Sequence, residues 1–263
     1  MDNSHIRYEL KENGIGYLTI NRPEASNSFK KETVDLLSKI LVDCKEDPVC
    51  RALIFTGAGD KVFCAGADLE TFLEEKVKPL GGREWSRYGQ VAFHLLDHLG
   101  KPSIAAINGL CMGGGLELAL SCTFRIASEK ARFAFPEVGL GFLPGWGGTQ
   151  RATRLLGKAT AMELILTGDV IDPERARAIG LISRVVPPGE LMAACEALAG
   201  RIIRHSAVAV KVCMDAVHGA EDVPLEEGLI LEANLGGLAC ASEDAEEGLK
   251  AWQEKRKPIF RGR

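Results

Sequence analysis

Apolar residues alternate with polar ones, or cluster with β-branched neighbours, over Ile6–Leu10, Ile15–Ile20, Ala52–Thr56, Ser103–Ile107, Phe124–Ala127 and Arg184–Val186, and this pattern predicts six strands. Between them the period lengthens. Lys30–Cys44 puts Val34, Leu37, Ile40 and Leu41 on one helical face, with Pro48 beyond its end, and a second helix is predicted over Glu84–Leu99, closed by Gly100 ahead of Lys101-Pro102. Strands separated by helices of this length need crossover connections, so the pattern predicts the α/β class with a largely parallel sheet. Past Pro188 the pattern changes: Glu190–Ile203, Ala207–His218, Leu225–Cys240 and Glu243–Glu254 read as helices with no strand among them. The chain therefore divides into a core over 1–188 and a helical region over 189–263. No internal repeat or low-complexity segment stands out, and Pro79 with Gly81-Gly82 predicts a mobile loop over about Lys76–Arg83.

With 263 residues, 46% of them hydrophobic, the chain is long enough to bury roughly three-quarters of the surface its unfolded form exposes. The net charge of −4 comes from 32 basic and 36 acidic residues of mixed order, which argues against a broad cationic face for nucleic acid. Met1–Leu10 lacks the layout of a secretory or transit segment, and no apolar run is long enough to span a bilayer, so a cytoplasmic location is expected. The eight cysteines, at 44, 50, 64, 111, 122, 195, 213 and 240, show no CxxC spacing; most sit in apolar segments, as reduced, structural thiols do.

Three glycine-rich passages carry the candidate chemistry, and none matches a dinucleotide fingerprint, a phosphate loop, an HExxH helix or a GxSxG elbow. The first, Phe63-Cys64-Ala65-Gly66-Ala67-Asp68-Leu69, leads into a helix with Asp68 as its cap; small residues let a ligand approach N–H groups that a helix start leaves free. In the second, Asn108–Leu120, the run Gly113-Gly114-Gly115 opens an apolar helix, at up to about 1 kcal/mol per glycine against alanine. Free backbone donors at the positive end of a helix suit charge developing on a carbonyl oxygen, and that chemistry justifies the glycines. Glu117, in Leu116-Glu117-Leu118-Ala119-Leu120, stands about 4.5 Å along the axis from Gly114 and is expected partly out of water, where burial lifts a carboxyl pKa. The alternative is a glutamate at the solvent edge of a buried helix. The third passage, Phe135–Arg151, holds Glu137 among apolar residues, then Gly145, Gly147 and Gly148 ahead of another helix start. Two such carboxylates on separate elements can divide acid and base work on one water.

In these passages the sequence resembles the crotonase, or enoyl-CoA hydratase/isomerase, superfamily. The likeness starts at Asn21-Arg22-Pro23-Glu24-Ala25-Ser26-Asn27-Ser28. It runs through Cys64–Asp68, Gly113–Ala119 and Pro144–Arg151 to Glu254-Lys255-Arg256-Lys257-Pro258-Ile259-Phe260, over essentially the whole chain. The resemblance implies a spiral of ββα units, with C-terminal helices that build homotrimers or dimers of trimers. It implies hydration of 2-enoyl-CoA to 3-hydroxyacyl-CoA, with the thioester oxygen bound by the N–H groups of Ala67 and Gly114. Glu117 would act as base on the water attacking C3, Glu137 would deliver the proton to C2, and the Gly145 N–H would help hold the water. Coenzyme A, part of the substrate, would meet Arg22, Ala25, Lys61 and the Ala65, Gly66, Asp68 and Leu69 stretch. Lys255 would reach a neighbouring subunit's ligand. No separate cofactor and no metal are implied. Glu70 departs from a lysine found there in some hydratases and puts one phosphate contact in doubt.

Within this superfamily the alternatives are a Δ3,Δ2-enoyl-CoA isomerase, which needs one glutamate, and a hydratase of a cyclic or dienoyl thioester, for which Trp146 would narrow or flatten the pocket. A subunit contact is the other reading of Trp146. Some members bind AU-rich RNA, but here Lys30-Lys31 and the Lys255–Arg263 tail are the only candidate patches, against a negative net charge. His94 and His98, one helical turn apart, lack a third metal ligand in the sequence.

Overall fold

The computed structural model describes residues 4–76, 80–220 and 222–263. Strands β1 (Ile6–Leu10) and β2 (Ile15–Ile20) pair as an antiparallel hairpin, in register from Ile6 opposite Ile20 to Leu10 opposite Gly16, and helix α1 (Lys31–Glu46) follows. The chain then makes three turns of one pattern. β3 (Ala52–Gly57) and β4 (Val62–Cys64) are followed by α2 (Leu69–Lys76) and α3 (Gly81–Asp97). β5 (Ser103–Ile107) and β6 (Leu110–Met112) are followed by α4 (Gly114–Ser121). β7 (Phe124–Ser128) and β8 (Arg132–Ala134) lead through a 3-10 turn at Pro136–Leu140 into α5 (Gly148–Leu156), α6 (Lys158–Thr167) and α7 (Pro173–Ala178). β9 (Arg184–Val186) precedes α8 (Leu191–Ile203), α9 (Ala207–Gly219), α10 (Leu225–Cys240) and α11 (Glu243–Gln253).

The first strand of each turn joins a six-stranded sheet, ordered β1-β2-β3-β5-β7-β9 and parallel from β2 onward. The second strand joins a parallel three-stranded sheet, ordered β4-β6-β8. This is a spiral of ββα units. The repeat lies in geometry, since the three units share no residue pattern that the sequence displays.

Both faces of the large sheet are covered, which is why its strands read as nearly continuous apolar runs. Leu53, Phe55, Ala105, Ile107 and Ala127 point into the main core with α1, α3 and α4. Their alternates Ala52, Ile54, Ile104, Ala106 and Ile126 point to the opposite face, where α8 seats Leu191, Cys195 and Ala199. The four-residue spacing of those three puts them on one stripe of the helix. So α8 completes the core of the large sheet, and the region after residue 188 is not a single appendage: α9 and α10 bury no residue of their own. α3 begins a turn earlier than Glu84, so Gly81–Arg83 of the expected mobile loop are helical, and 77–79 lie outside the described residues. Six cysteines are buried free thiols; Cys213 and Cys240 are exposed.

The small sheet positions the chemistry. Its parallel strands all end on the same side, where ligand sites of open α/β sheets form. The Ala65–Asp68 loop leaves β4, the glycines of α4 leave β6, and Pro136-Glu137 leaves β8. Because β6 is central, Gly114 and Glu117 stand between Ala67 on one side and Glu137 on the other.

Candidate active site

The loops after β4 and β6 touch backbone to backbone. Gly66 has φ +100°, and a Cβ there would lie 2.8 Å from the Gly114 nitrogen and 3.1 Å from the Met112 carbonyl oxygen. Only a residue without a side chain brings Ala67 this close to the start of α4. The neighbouring backbone groups are bonded: Phe29 N–H donates to Gly66 O (2.8 Å), Asp68 N–H to Phe29 O (2.9 Å), and Leu116 N–H to Gly113 O (2.8 Å). Among the described residues neither the Ala67 N–H nor the Gly114 N–H has an acceptor, and both residues line one cavity of about 580 Å³. Two free donors, one of them at the positive end of a helix, have the arrangement that an anion hole requires.

Glu117 lies in the first turn of α4, 2% exposed, and its Oε1 accepts from the N–H groups of Trp146 and Gly148, each at 2.7 Å. Burial pushes its pKa up to about 8 against these two donors, and the nearby Glu137 adds to the rise. Glu137, carried by the turn after β8, sets Oε1 over the Cα of Gly113, where a Cβ would stand 2.7 Å away; this is a use for a glycine with φ +50°. Its Oε2 is buried without a hydrogen-bond partner among the described residues, and burial lifts the carboxyl to about 7. The two glutamates line the same cavity, and burial raises both carboxyls.

The structure thus brings Ala67, Gly114, Glu117, Glu137 and Gly145 to one cavity, with Ala65 and Leu69 on its wall beside Ala67. The Gly145 carbonyl accepts from Gln90 Nε2 (2.8 Å), which fixes the turn that carries the two donors to Glu117. The Gly148 N–H is among the free helix-start donors that the glycine run announces, while the Trp146 N–H, and the use of both to hold Glu117, escape sequence reasoning. Arg151 braces the same turn, donating through Nη1 to Trp146 O (3.3 Å) and pairing through Nε with Asp97 (3.2 Å).

Arg22 and Asp68, expected along coenzyme A, turn their side chains to each other. Both terminal guanidinium nitrogens of Arg22, Nη1 and Nη2, reach Asp68 Oδ2 at 3.1 Å, and Nη1 also donates to Ser28 O (2.7 Å), in a pair that is 6% and 9% exposed. Burial alone would raise the Asp68 carboxyl, but the Thr71 N–H and Arg22 outweigh it and hold the pKa below its ordinary value. Asp68 also caps α2 by accepting from Thr71 N–H (3.2 Å). The pair is a brace beneath the β4 loop, since a buried charge must be paired. Ala25 is half-buried in the turn next to that loop, where Ala65 N–H donates to Ser26 O (3.1 Å); Lys61 and Glu70 are exposed, and Lys255 lies past α11, off the cavity wall.

Trp146 is 3% exposed and packed within the subunit, so it is no subunit contact; it shows one edge to the cavity. Two of the five basic side chains of the tail are paired, Arg256 with Glu247 (2.6 Å) and Glu254 (2.6 Å) and Arg263 with Glu243 (2.9 Å), which removes part of the charge an RNA patch would offer. The His94 and His98 rings stand 4.0 Å apart with His218 beyond, yet among the described residues no group of three side chains could hold a metal. No helix among the described residues is long and apolar enough to cross a membrane.

Comparison with known proteins agrees with this arrangement. The family model described as enoyl-CoA hydratase/isomerase matches residues 10–263. The chain is 42% identical over 250 residues to a crotonyl-CoA hydratase of Syntrophomonas wolfei, covering 95% of each protein. It is 40% identical to a short-chain-enoyl-CoA hydratase of Clostridium acetobutylicum, covering 94% of each. A crystal structure of an enoyl-CoA hydratase from Bacillus anthracis superposes with a TM-score of 0.93 at 36% identity, over 99% of this chain and 100% of that one. With the spiral fold and a sequence match over nearly its full length, the chain belongs to the enoyl-CoA hydratase/isomerase family.

Proposed function

We propose that this protein adds water reversibly across the double bond of 2-enoyl-CoA thioesters to give 3-hydroxyacyl-CoA, with Glu117 and Glu137 as its base and acid. The observation that carries the reading is the pair of desolvated carboxyls facing the cavity that also holds the free Ala67 and Gly114 N–H groups. Those donors hydrogen-bond the thioester oxygen and stabilise the enolate-like state that forms as C3 is attacked, each worth about 3–4 kcal/mol. Burial raises both carboxyls, Glu117 to about 8 and Glu137 to about 7, so the reacting form is the one in which the two N–H donors hold the charge on Glu117 and the unpartnered Oε2 of Glu137 carries the proton. Glu117 takes a proton from water as its oxygen bonds to C3, Glu137 gives its proton to C2, and the Gly145 N–H orients the water. Coenzyme A lies along Ala25, Ala65, Gly66 and Leu69, with Lys61 toward its phosphates and Lys255 offered to a neighbour's ligand. The reaction needs no separate cofactor or metal. The hydratase names of the relatives favour the same reaction.

A 1,3-proton shift by an isomerase needs one carboxylate and consumes no water, so the second buried glutamate favours hydration. With crotonyl-CoA, loss of the enoyl-thioester absorbance is expected, and Glu137→Gln is expected to slow it about 10²-fold. No absorbance loss with any 2-enoyl thioester, alongside turnover of a 3-enoyl thioester, would replace this reading with the isomerase.

The protein is also proposed to act as a homotrimer or dimer of trimers. α9, α10 and α11 leave Val217, Leu225, Leu238 and Trp252 exposed, the last at 78%, an apolar area that a lone subunit would have to hold in water. Light scattering at micromolar concentration is expected to give three or six subunit masses; a monomer mass would sink this assembly.

A further inference from the structure

We infer that Trp146 is the fixed inner wall of the acyl pocket and restricts the enzyme to short 2-enoyl chains, an inference that rests on the hydratase reading above. The indole lies between α3 and α4, directly behind the anion hole. A Cβ on Gly114 would stand 2.9 Å from Cε3 and 3.1 Å from Cζ3 of the ring, and a Cβ on Gly89 would overlap its five-membered portion. At Gly89 and Gly114 both helices thus present bare backbone to the indole. Nε1–H donates to Trp85 O (3.2 Å), while the rings of Trp85, Phe93 and Phe29 pack around it at centroid distances of 5.4, 5.5 and 6.1 Å. A ring held by a hydrogen bond and three aromatic neighbours has no open rotamer to swing into.

The direction of the substrate follows from the site. With the thioester oxygen at Ala67 and Gly114 and coenzyme A leaving past Ala65 and Leu69, C2 and C3 lie between the glutamates, and the acyl tail continues toward Trp85 and Trp146. On the outer side Phe72 and Phe142 meet edge to face at 4.8 Å, with Phe142 38% exposed on the loop after Glu137, whereas Trp146 is 3% exposed. A smaller side chain at position 146 would open a hole continuous with the cavity, lined by two glycines.

The test is the ratio of kcat/KM for trans-2-decenoyl-CoA to that for crotonyl-CoA. In the unaltered protein the ratio is expected well below one, and Trp146→Leu should raise it by about tenfold or more, the scale on which hydrophobic pockets discriminate added methylenes. The Trp146 N–H that holds Glu117 is backbone and survives the change. Cooperative thermal unfolding establishes that the variant is folded; if it is not, Trp146→Phe, which keeps an aromatic ring, should show a smaller rise in the same direction. Efficient hydration of decenoyl-CoA by the unaltered protein, or an unchanged ratio in a folded variant, overturns the inference while leaving hydration intact. A rise in Phe142→Ala and none in Trp146→Leu also overturns it, by moving the limit to the outer loop. Absence of hydration at every chain length is a failure of the hydratase reading instead.

Discussion

Glu117→Gln is expected to lower kcat for hydration by roughly 10²–10⁴-fold while leaving the protein folded. Glutamine has the same shape, and its amide oxygen still accepts from the Trp146 and Gly148 N–H groups that hold the native Oε1 at 2.7 Å. Its other atom is an NH₂, which cannot take the proton of the attacking water. The same substitution carries a stability signature. In the folded protein the Glu117 pKa is raised from 4.5 to about 8, so between these values the folded state retains a proton that the unfolded chain has released. The stabilising contribution of that proton is complete below about pH 4.5 and is lost as the pH climbs through about 8. Glutamine has no charge to desolvate, so the variant should gain on the unaltered protein across this window, by on the order of a few kcal/mol at its upper end. Urea midpoints at pH 5 and pH 9 measure the gain. A gap between the two proteins that is the same at both pH values would mean that Glu117 is not a desolvated carboxyl, and near-normal turnover would remove it as the base.

Why Glu117 was legible in the sequence while its partners were not is a matter of signal length. Strands such as Ser103–Ile107 are buried on both faces and long enough to show their apolar character, so the large sheet could be read directly. β4, β6 and β8 have three residues each, too few to display a period, and yet these strands carry all three catalytic loops. Gly113-Gly114-Gly115 betrayed an anion site because such a helix start is unfavourable without one. Glu137 was visible as a carboxylate in apolar surroundings, but its place opposite Glu117 rested on the family resemblance. A backbone donor such as the Trp146 N–H has no residue type to announce it. The Arg22–Asp68 pair joins positions 46 residues apart, so no local pattern announces the brace it forms beneath the β4 loop. Periodicity likewise found α8 without showing that it covers the back of the large sheet.

Gly66→Ala should reduce kcat/KM for crotonyl-CoA by about 10²–10³-fold, comparable to removing one donor from an oxyanion hole. The residue sits at φ +100°, which strains an L side chain by roughly 1–3 kcal/mol, and the added methyl would stand 2.8 Å from the Gly114 nitrogen. It either covers that N–H or drives the Ala67 loop away from α4. Each outcome spoils the spacing of the two donors, and neither touches Glu117 or Glu137. The carbonyl stretch of a bound enoyl thioester separates this loss from a loss of acid–base chemistry. In Glu117→Gln the anion hole is intact, so the stretch should keep its shift to low frequency while turnover collapses. In Gly66→Ala the shift itself should shrink toward the value in water. Near-normal turnover in Gly66→Ala, or a full carbonyl shift accompanied by lost turnover, would mean that polarisation does not come from the Ala67 and Gly114 donors. The pair of variants therefore divides the rate enhancement between polarising the thioester and moving the protons of water.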